Sequence, residues 1–323
     1  MQRKVTLSSG LFVLTGAAMA ALAASLPASG PMGWAYPAAR SERAAAHPDR
    51  TYTIRGSRVH LTDAQIDDPW AAVDWLPNEH PPAPSVVLHG RKPEMYACGL
   101  CHMVDGQGGR GVPGLAGLSR NYIVAQVAAF ASGQRSSSYL LRDALNMATV
   151  ARAARAGEVA AAAEYYSRLS YRPWIRVVET KMVPATAPSY WGWSDAIEGS
   201  RAEPIGLRIV EVAEDNRLAT LADPRSGFAA YAPAGAVVRG RAITVAGVGG
   251  QPPCAVCHGA GMKGTNIAPS LAGRSPTYLA RQLWDMHTGA RRSPSAAPMQ
   301  PIAKALDAAR IIDIAAYLAS LHP

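Results

Sequence analysis

The sequence predicts a mainly α-helical protein with two similar domains in tandem, joined by a longer and partly β-rich insert. The pattern Cys-x-x-Cys-His occurs twice, at residues 98–102 and 254–258, and the segments that follow the two copies align with each other. The composition is rich in alanine and includes only 3 phenylalanines among 323 residues, which favours helix over sheet. A chain of this length accommodates two domains of ordinary size.

Residues 1–23 have the features of an export signal. Positive charge in "MQRK" precedes the uncharged run "LFVLTGAAMAALAA", and Ala21-Leu22-Ala23 resembles a small-x-small cleavage site. The run is short and alanine-rich, which suits a cleaved signal better than a permanent membrane span. We therefore expect a periplasmic protein, with an uncleaved membrane anchor as the alternative. Residues 24–89 are rich in proline, show little periodicity and predict an irregular N-terminal extension.

All four cysteines belong to the two Cys-x-x-Cys-His motifs. A zinc site would have to join pairs that are much farther apart than in ordinary zinc modules, and both histidines would lack an obvious role. Thiol–disulfide exchange favours a pair within a thioredoxin-like βαβ pattern, and no strong pattern of that kind precedes either motif. Haem attachment uses both thiols as anchors and the adjacent histidine as an iron ligand. Two motifs in a chain without other cysteines favour two covalently bound haem c groups. The expected residues are Cys98, Cys101 and His102 in the first copy and Cys254, Cys257 and His258 in the second.

The chain repeats itself downstream of each motif. "PGLAGLSRNYIVAQVAAFASGQR" at 113–135 aligns without a gap with "PSLAGRSPTYLARQLWDMHTGAR" at 269–291, which indicates an internal duplication. The opening prolines begin loops whose backbone carbonyls we expect to accept the N–H of the proximal histidine, a plain turn proline being the alternative. The tyrosines at the start of the following helices are expected to pack in the haem pockets. The shared positions are Pro113/Pro269, Leu115/Leu271, Ala116/Ala272, Gly117/Gly273, Ser119/Ser275, Tyr122/Tyr278, Gln126/Gln282, Gly133/Gly289 and Arg135/Arg291.

Each copy also offers a methionine before its terminal helix. Met147 and Met299 occupy matched places, and the apolar spacing in 159–169 and 311–321 is that of one helix face. A thioether opposite the histidine gives a six-coordinate iron with a raised reduction potential. We therefore predict Met147 and Met299 as the second axial ligands. Weaker candidates are Met95 and Met182 for the first haem and Met262, Met286 and His287 for the second, while Met103 lies too close to its own motif.

Taken together, these motifs resemble the tandem dihaem class I cytochromes c of the cytochrome c4-like family. The resemblance covers about residues 90–170 and 250–322. It implies two small helical haem domains, at 90–170 and 251–323, with His/Met ligation by His102 and Met147 and by His258 and Met299. The insert at 171–250 is longer than the linker of the simplest family members. Its runs between prolines and glycines predict short strands, and Trp174, Tyr190, Trp191 and Trp193 cluster there. The insert is either a β-rich strap packed on a haem domain or a docking surface for a partner.

The predicted function is to shuttle single electrons between redox proteins, with a donor dehydrogenase or quinol-oxidising complex and an acceptor oxidase or reductase as partners. The protein would then be no enzyme. The alternatives are a dihaem cytochrome c peroxidase, which needs an open position on one iron, and a cytochrome subunit of a larger dehydrogenase or oxidase complex. The net charge is +9, but the basic residues are dispersed rather than grouped as in nucleic-acid-binding arms. The charge serves either solubility or steering toward an acidic partner or an anionic surface.

Overall fold

The structure is a computed structural model that describes residues 32–37, 50–109, 111–139, 146–189 and 193–323. The secondary structure of these residues is mainly helical, which agrees with the predicted class. The expected export signal at 1–23 lies outside the described residues, as do Tyr190 and Trp191 of the insert. Among the described residues, no helix combines the length and the apolar character that a membrane crossing requires.

The N-terminal part combines small elements of the extension with the helices of the first copy. Its elements in chain order are β1 (Thr51–Tyr52), β2 (Leu61–Thr62), α1 (Asp63–Ile66), α2 (Ser85–Leu88), α3 (Cys98–His102), α4 (Arg120–Ala131), α5 (Met147–Ala153) and α6 (Ala156–Ser167). Helix α4 begins where the Ser119 side chain accepts a hydrogen bond from Tyr122 N, and α5 begins where Asn146 accepts from Thr149 N. These caps satisfy backbone N–H groups that have no partner inside the helix.

The insert contributes short strands and one short helix. Its elements are β3 (Ile175–Thr180), β4 (Met182–Pro184), β5 (Thr186–Pro188), β6 (Ser194–Ala196), β7 (Ala202–Pro204), β8 (Val210–Ala213), α7 (Asn216–Thr220) and β9 (Phe228–Pro233). Strand β9 pairs in parallel with β3, Ile175 opposite Phe228, and antiparallel with β8, Val210 opposite Tyr231. The predicted strands are thus present, as three-stranded and two-stranded sheets.

The C-terminal part is helical. Its elements are α8 (Ala236–Ala246), α9 (Ala255–His258), a 3-10 helix (Ala260–Met262), α10 (Pro276–Thr288), a second 3-10 helix (Pro294–Met299), α11 (Gln300–Lys304) and α12 (Ala308–Ser320). Helix α10 repeats the start of α4, because Ser275 accepts from Tyr278 N and Pro276 occupies the first turn. The expected terminal helices are present as α6 and α12, and the apolar residues at 311, 314 and 318 of α12 are buried.

Helix α8 corrects the prediction that residues 223–247 form short extended runs broken by prolines and glycines. Phe228–Pro233 is a strand, but Ala236–Ala246 is a helix. The β-branched residues of this segment favour a strand. The contact that stabilises the helix is with α12, which is distant in sequence, so the local pattern did not indicate it. Gly240 allows the close approach, since a Cβ at this position would lie 2.0 Å from Asp313 O of α12. Arg239 adds two hydrogen bonds, of 2.8 and 2.9 Å, to the Asp313 carboxylate.

The two copies have separate apolar cores. The first core includes Val104, Ile123 and Tyr166 from α3, α4 and α6 and their connections. The second is larger and combines α10 and α12 with two residues of the insert sheet region, Ile209 and Ala232. This packing agrees with the interpretation of the insert as a strap. The extension also contributes, because Met32, Trp34 and Tyr36 are buried in the second core.

Candidate functional site

The first motif forms the short helix α3, which places its functional side chains on neighbouring positions of one turn. Cys98 and Cys101 are three residues apart and lie on the same side of the helix. His102 is buried, and its Nδ1 lies 2.9 Å from the carbonyl oxygen of Pro113. Since a carbonyl can only accept, this contact places the proton on Nδ1 and leaves Nε2 free to bind a metal.

The second motif reproduces this geometry. Cys254 precedes α9, His258 is buried at the end of α9, and His258 Nδ1 lies 2.8 Å from Pro269 O. In both copies the proline follows the histidine by 11 residues. The expected interaction of each opening proline with its histidine is therefore confirmed, in preference to a plain turn.

The chemistry of the thiols argues against redox exchange. None of the four cysteines forms a disulfide. Burial raises the pKa of Cys98 to about 12 and that of Cys101 to about 11, and burial also raises the pKa of Cys254. A thiol that attacks disulfides needs a lowered pKa, because the thiolate is the nucleophile. Within the described ranges, no three His, Cys, Asp or Glu side chains converge as a metal site built from such ligands would require.

A cavity of about 390 Å³ opens beside the first motif. Cys98, Cys101 and His102 line one part of it, and Met147, the first residue of α5, lines the cavity as well. Apolar side chains of α4, α5 and α6 form a further part of the lining. A volume in this range suits a cofactor-sized ligand. The structure thus brings together the four residues that the sequence assigned to the first site.

The other methionines of the first copy are less well placed. Met95 also lines the cavity and is 2% exposed, so it remains a neighbour of the site. Met182 lies in β4 with 46% of its surface exposed and is not among the cavity-lining residues. The backbone carbonyl of Met103 accepts a hydrogen bond from Tyr166.

Met299 ends the second 3-10 helix and packs, partly buried, against the core of the second copy. Met262 and Met286 are buried in the same core. The ring of His287 stacks on Trp284 with centroids 5.0 Å apart, and its Nδ1 lies 2.9 Å from Ala303 O. Met299 as the ligand opposite His258 stays a prediction.

The two copies meet in a buried cluster that we call the arginine junction. It comprises Tyr122, Gln126, Arg135, Tyr278, Gln282 and Arg291. Arg135 donates to Gln126 Oε1 (2.7 Å) of its own copy and to Gln282 Oε1 (2.7 Å) and Tyr278 Oη (3.2 Å) of the other. Arg291 mirrors this pattern, donating to Gln282 Oε1 (3.1 Å), Gln126 Oε1 (2.9 Å) and Tyr122 Oη (3.1 Å).

The junction concentrates positive charge in the interior. Arg135 and Arg291 are 5% and 8% exposed, and their backbones form an antiparallel bridge. Burial, followed by the neighbouring charge of Arg291, lowers the pKa of Arg135. Arg135 also lines the cavity, together with Arg281 and Tyr278 from the second copy. The cavity therefore borders the junction.

The donor set around the cavity fits a haem. Arg281 and Arg291 each carry a buried Nε–H for which the described residues supply no acceptor. Arg281 lines the cavity itself. Buried donors of this kind suit the carboxylates of a haem, since guanidinium groups bind carboxylates strongly. The apolar lining suits the porphyrin ring, the two thiols suit its covalent attachment, and the histidine suits the iron.

Sequence reasoning missed the junction. It listed the shared tyrosine, glutamine and arginine positions but expected the tyrosines only to pack in haem pockets. Tyr122 and Tyr278 do line the cavity, and each hydroxyl also accepts a hydrogen bond from the arginine of the other copy. The repeated Gln-and-Arg positions were the available signal, since polar residues retained in both copies of a duplication need partners when buried.

Comparison with known proteins identifies the family. The cytochrome c family model matches residues 239–322. Cytochrome c-554(548) of Halomonas halodenitrificans is 41% identical over 68 residues, which cover 21% of this chain and 82% of that protein. A protein described as thiosulfate dehydrogenase electron acceptor, from Thiomonas intermedia, is 27% identical over 231 residues, covering 71% of this chain and 80% of that one.

Solved structures give weaker likenesses. Cytochrome c4 of Acidithiobacillus ferrooxidans has 24% identity and a TM-score of 0.45, with 69% of this chain and 98% of that chain covered. A thiosulfate dehydrogenase from Marichromatium purpuratum has 27% identity and a TM-score of 0.45, and the match covers 70% of this chain but only 36% of that one.

The chain belongs to the cytochrome c family, which confirms the resemblance drawn from the sequence. A cytochrome c domain carries covalently bound haem c, and the family transfers electrons. The family match begins at residue 239, within α8, twelve residues before the start expected for the second domain.

Proposed function

We propose that this protein is a dihaem c-type cytochrome that shuttles single electrons between periplasmic redox partners. The supporting observation is the duplicated proximal geometry, in which a buried histidine at the end of a Cys-x-x-Cys-His helix is paired with a proline carbonyl 11 residues later. Chance does not produce the same bond twice at matched positions of an internal repeat. The proposed haem domains are residues 90–170 and 251–323, joined by the insert at 171–250.

The proposed anchors and ligands are the residues that the sequence pattern predicts. Each haem, when bound, supplies an iron that takes up and releases one electron. Cys98 and Cys101 hold one group and Cys254 and Cys257 the other. His102 and His258 are the proximal ligands, and their bonds to proline carbonyls fix the rings and raise their basicity. Met147 and Met299 are the second ligands, and thioether ligation favours the reduced iron.

The relatives suggest the class of donor. One relative is described as a thiosulfate dehydrogenase electron acceptor and matches over 80% of its length. We therefore propose a dehydrogenase of inorganic sulfur compounds as the donor, either as a transient partner or as a stable complex of which this chain is the cytochrome subunit. The acceptor would be an oxidase or reductase of the same compartment, which the signal-like residues 1–23 would reach by export.

Haem content and ligation test the core of the proposal. The purified holoprotein should contain two haems per chain by pyridine haemochrome assay, and its ferric spectrum should be low-spin with the long-wavelength absorption of methionine ligation. A single haem per chain would refute the dihaem assignment. A high-spin ferric component that reacts rapidly with peroxide would favour the dihaem peroxidase instead.

The donor is tested separately. Thiosulfate and a thiosulfate dehydrogenase should together reduce the protein in a stopped-flow experiment, whereas thiosulfate alone should not. A stoichiometric dehydrogenase that copurifies with the chain would identify the stable complex. Reduction by thiosulfate without the dehydrogenase would show an enzymatic activity of the chain itself.

A further inference from the structure

The N-terminal extension covers the motif helix of the first copy. Ala97 N, at the start of α3, donates to Pro69 O at 3.2 Å. Gly99, between the two cysteines, is buried, and a Cβ at this position would lie 2.8 Å from both Ala72 Cβ and Val87 O. The face of α3 between its cysteines is therefore closed by the chain's own residues.

The matched surface of the second copy is open. Ala255, which corresponds to Gly99, is exposed, and Val256 beside it is 65% exposed. Ile267, in the loop after the motif, is 75% exposed. The loop is held against α9 because Thr265 Oγ1 donates to Cys257 O at 2.7 Å. Val256 and Ile267 are thus large apolar side chains exposed on two segments that this bond joins, and such exposure beside a functional site is typical of a contact surface.

The stretch of sequence that carries this surface has charges of one sign. Between Asp223 and Asp285 the chain contains no acidic residue, and six arginines or lysines, of which Arg274 and Arg281 are buried. Lys263 is exposed, whereas its counterpart in the first copy, Gln107, is buried and donates to Ser170 O.

Helix α8 extends the same surface. Arg241 and Val245 are exposed and lie one turn apart, hence on the same side of the helix. The end of α8 adjoins the motif, since Cys254 N donates to Thr244 O at 3.0 Å. The second copy thus carries exposed apolar and basic side chains on the elements around its motif, whereas Gly99 and Gln107, at matched positions of the first copy, are buried.

We propose that an acidic one-electron redox protein docks on the surface formed by Arg241, Val245, Val256, Lys263 and Ile267, and that the extension closes the matched surface of the first copy to such a partner. An apolar centre with a charged rim is the ordinary composition of a transient interface, and opposite charge accelerates the encounter. The inference rests on the proposed function, because it takes the chain to be an electron carrier. Its consequence is that partners exchange electrons with the protein at the second copy.

Charge reversal tests the docking surface. The soluble domain of cytochrome b5, an acidic one-electron donor, serves as the probe, and stopped-flow absorbance gives the second-order rate constant for reduction of the ferric protein. Arg241→Glu and Lys263→Glu should together lower this constant about tenfold at low ionic strength and by much less at high salt. The matched control is Arg201→Glu with Arg217→Glu, the same charge change at two positions of the insert, which should have a smaller effect.

Binding is read out independently of electron transfer. Carbodiimide cross-linking to the probe, mapped by mass spectrometry, should involve Lys263, and Ile267→Ser should weaken the complex without changing haem content. An equal rate loss in the control, or cross-links confined to the first copy, would overturn the proposal. It would also fail if the surface mediated self-association of this chain, or bound phosphatidylglycerol vesicles instead of the probe. A haem count other than two would contradict the proposed dihaem function and is measured on every variant beforehand.

Discussion

Met147 is the residue on which the first site depends most. It begins α5, and the Asn146 side chain accepts a hydrogen bond from Thr149 N to cap the helix. A methionine at the first position of a helix is held at its backbone while its flexible side chain reaches into the adjacent cavity. Met95 lines the same cavity, so position alone leaves two thioethers near one site.

Replacing Met147 separates these two methionines. On the proposed function, we expect Met147→Ala to abolish methionine ligation at one haem and leave both haems attached, because the substitution does not touch the proposed cysteine anchors and proximal histidines. The long-wavelength absorption of the ferric protein should fall by about half, since one of two thioether ligands is lost. Absorption spectroscopy and a haem assay on the same sample measure both effects.

Met95→Leu is the matched control, a substitution of similar volume at the other cavity-lining methionine. It should leave the ligand-sensitive absorption intact. The assignment of Met147 would be wrong if the two variants exchanged these results, with Met147→Ala unchanged and Met95→Leu losing the absorption.

At the scale of elements, helix α8 shows what local pattern could not supply. The expected terminal helices were found because their apolar residues recur at helical spacing and lie buried in α6 and α12. Residues 236–246 carry valine, isoleucine and threonine, which favour strand when neighbours are ignored. Helix α8 is stabilised by its contact with α12, and that contact depends on one glycine and one ion pair distant in sequence.

Gly240 is therefore the critical position of the contact between α8 and α12. Gly240→Ala would place a Cβ 2.0 Å from Asp313 O, so the helices must separate. We expect the free energy of unfolding to fall by about 1–3 kcal/mol, the usual cost of overpacking. Urea denaturation followed by circular dichroism measures the change.

Gly157→Ala supplies the comparison within the same chain. Gly157 lies in α6, and an added Cβ would meet no atom within 4 Å. Alanine has the higher helix propensity, so this variant should be about 0.5–1 kcal/mol more stable than the parent. Equal effects of the two substitutions would show that the close approach at Gly240 contributes nothing specific.

At the scale of the whole molecule, the sequence predicted features within each of the two copies better than the contacts between the copies. The Cys-x-x-Cys-His motifs and the repeat are local patterns, so the bond from each histidine to its proline carbonyl was predictable. The haem-binding roles of the cysteines and histidines stay predictions. The arginine junction was not predictable, because it requires knowing that Arg135 faces Gln282 across the copies. The closure of α3 by the extension was unpredictable for the same reason, since a proline-rich segment gives no periodic signal of what it covers.

The arginine junction couples the two copies through shared acceptors. Gln126 Oε1 and Gln282 Oε1 each receive hydrogen bonds from both Arg135 and Arg291. When one arginine is removed, each glutamine keeps the other donor. When both are removed, two buried oxygens lose both arginine donors, which adds a desolvation cost that neither single variant has. The two arginines also repel each other, and either single substitution already relieves that repulsion.

The loss of both donors, and the repulsion that is relieved only once, make the double variant less stable than the single variants predict. Its loss of free energy of unfolding should therefore exceed the sum of the losses in the two single variants. We expect Arg135→Leu with Arg291→Leu to exceed additivity by about 0.5–3 kcal/mol in a double-mutant cycle measured by urea unfolding. Arg292→Leu is the control, since Arg292 is exposed and, among the residues that the structure describes, its guanidinium makes one bond, of 3.4 Å, to Gly289 O. Its cycle with Arg135→Leu should be additive. Additive energies for the Arg135 and Arg291 pair would contradict the prediction, because they would show that the shared glutamine acceptors do not couple the two arginines.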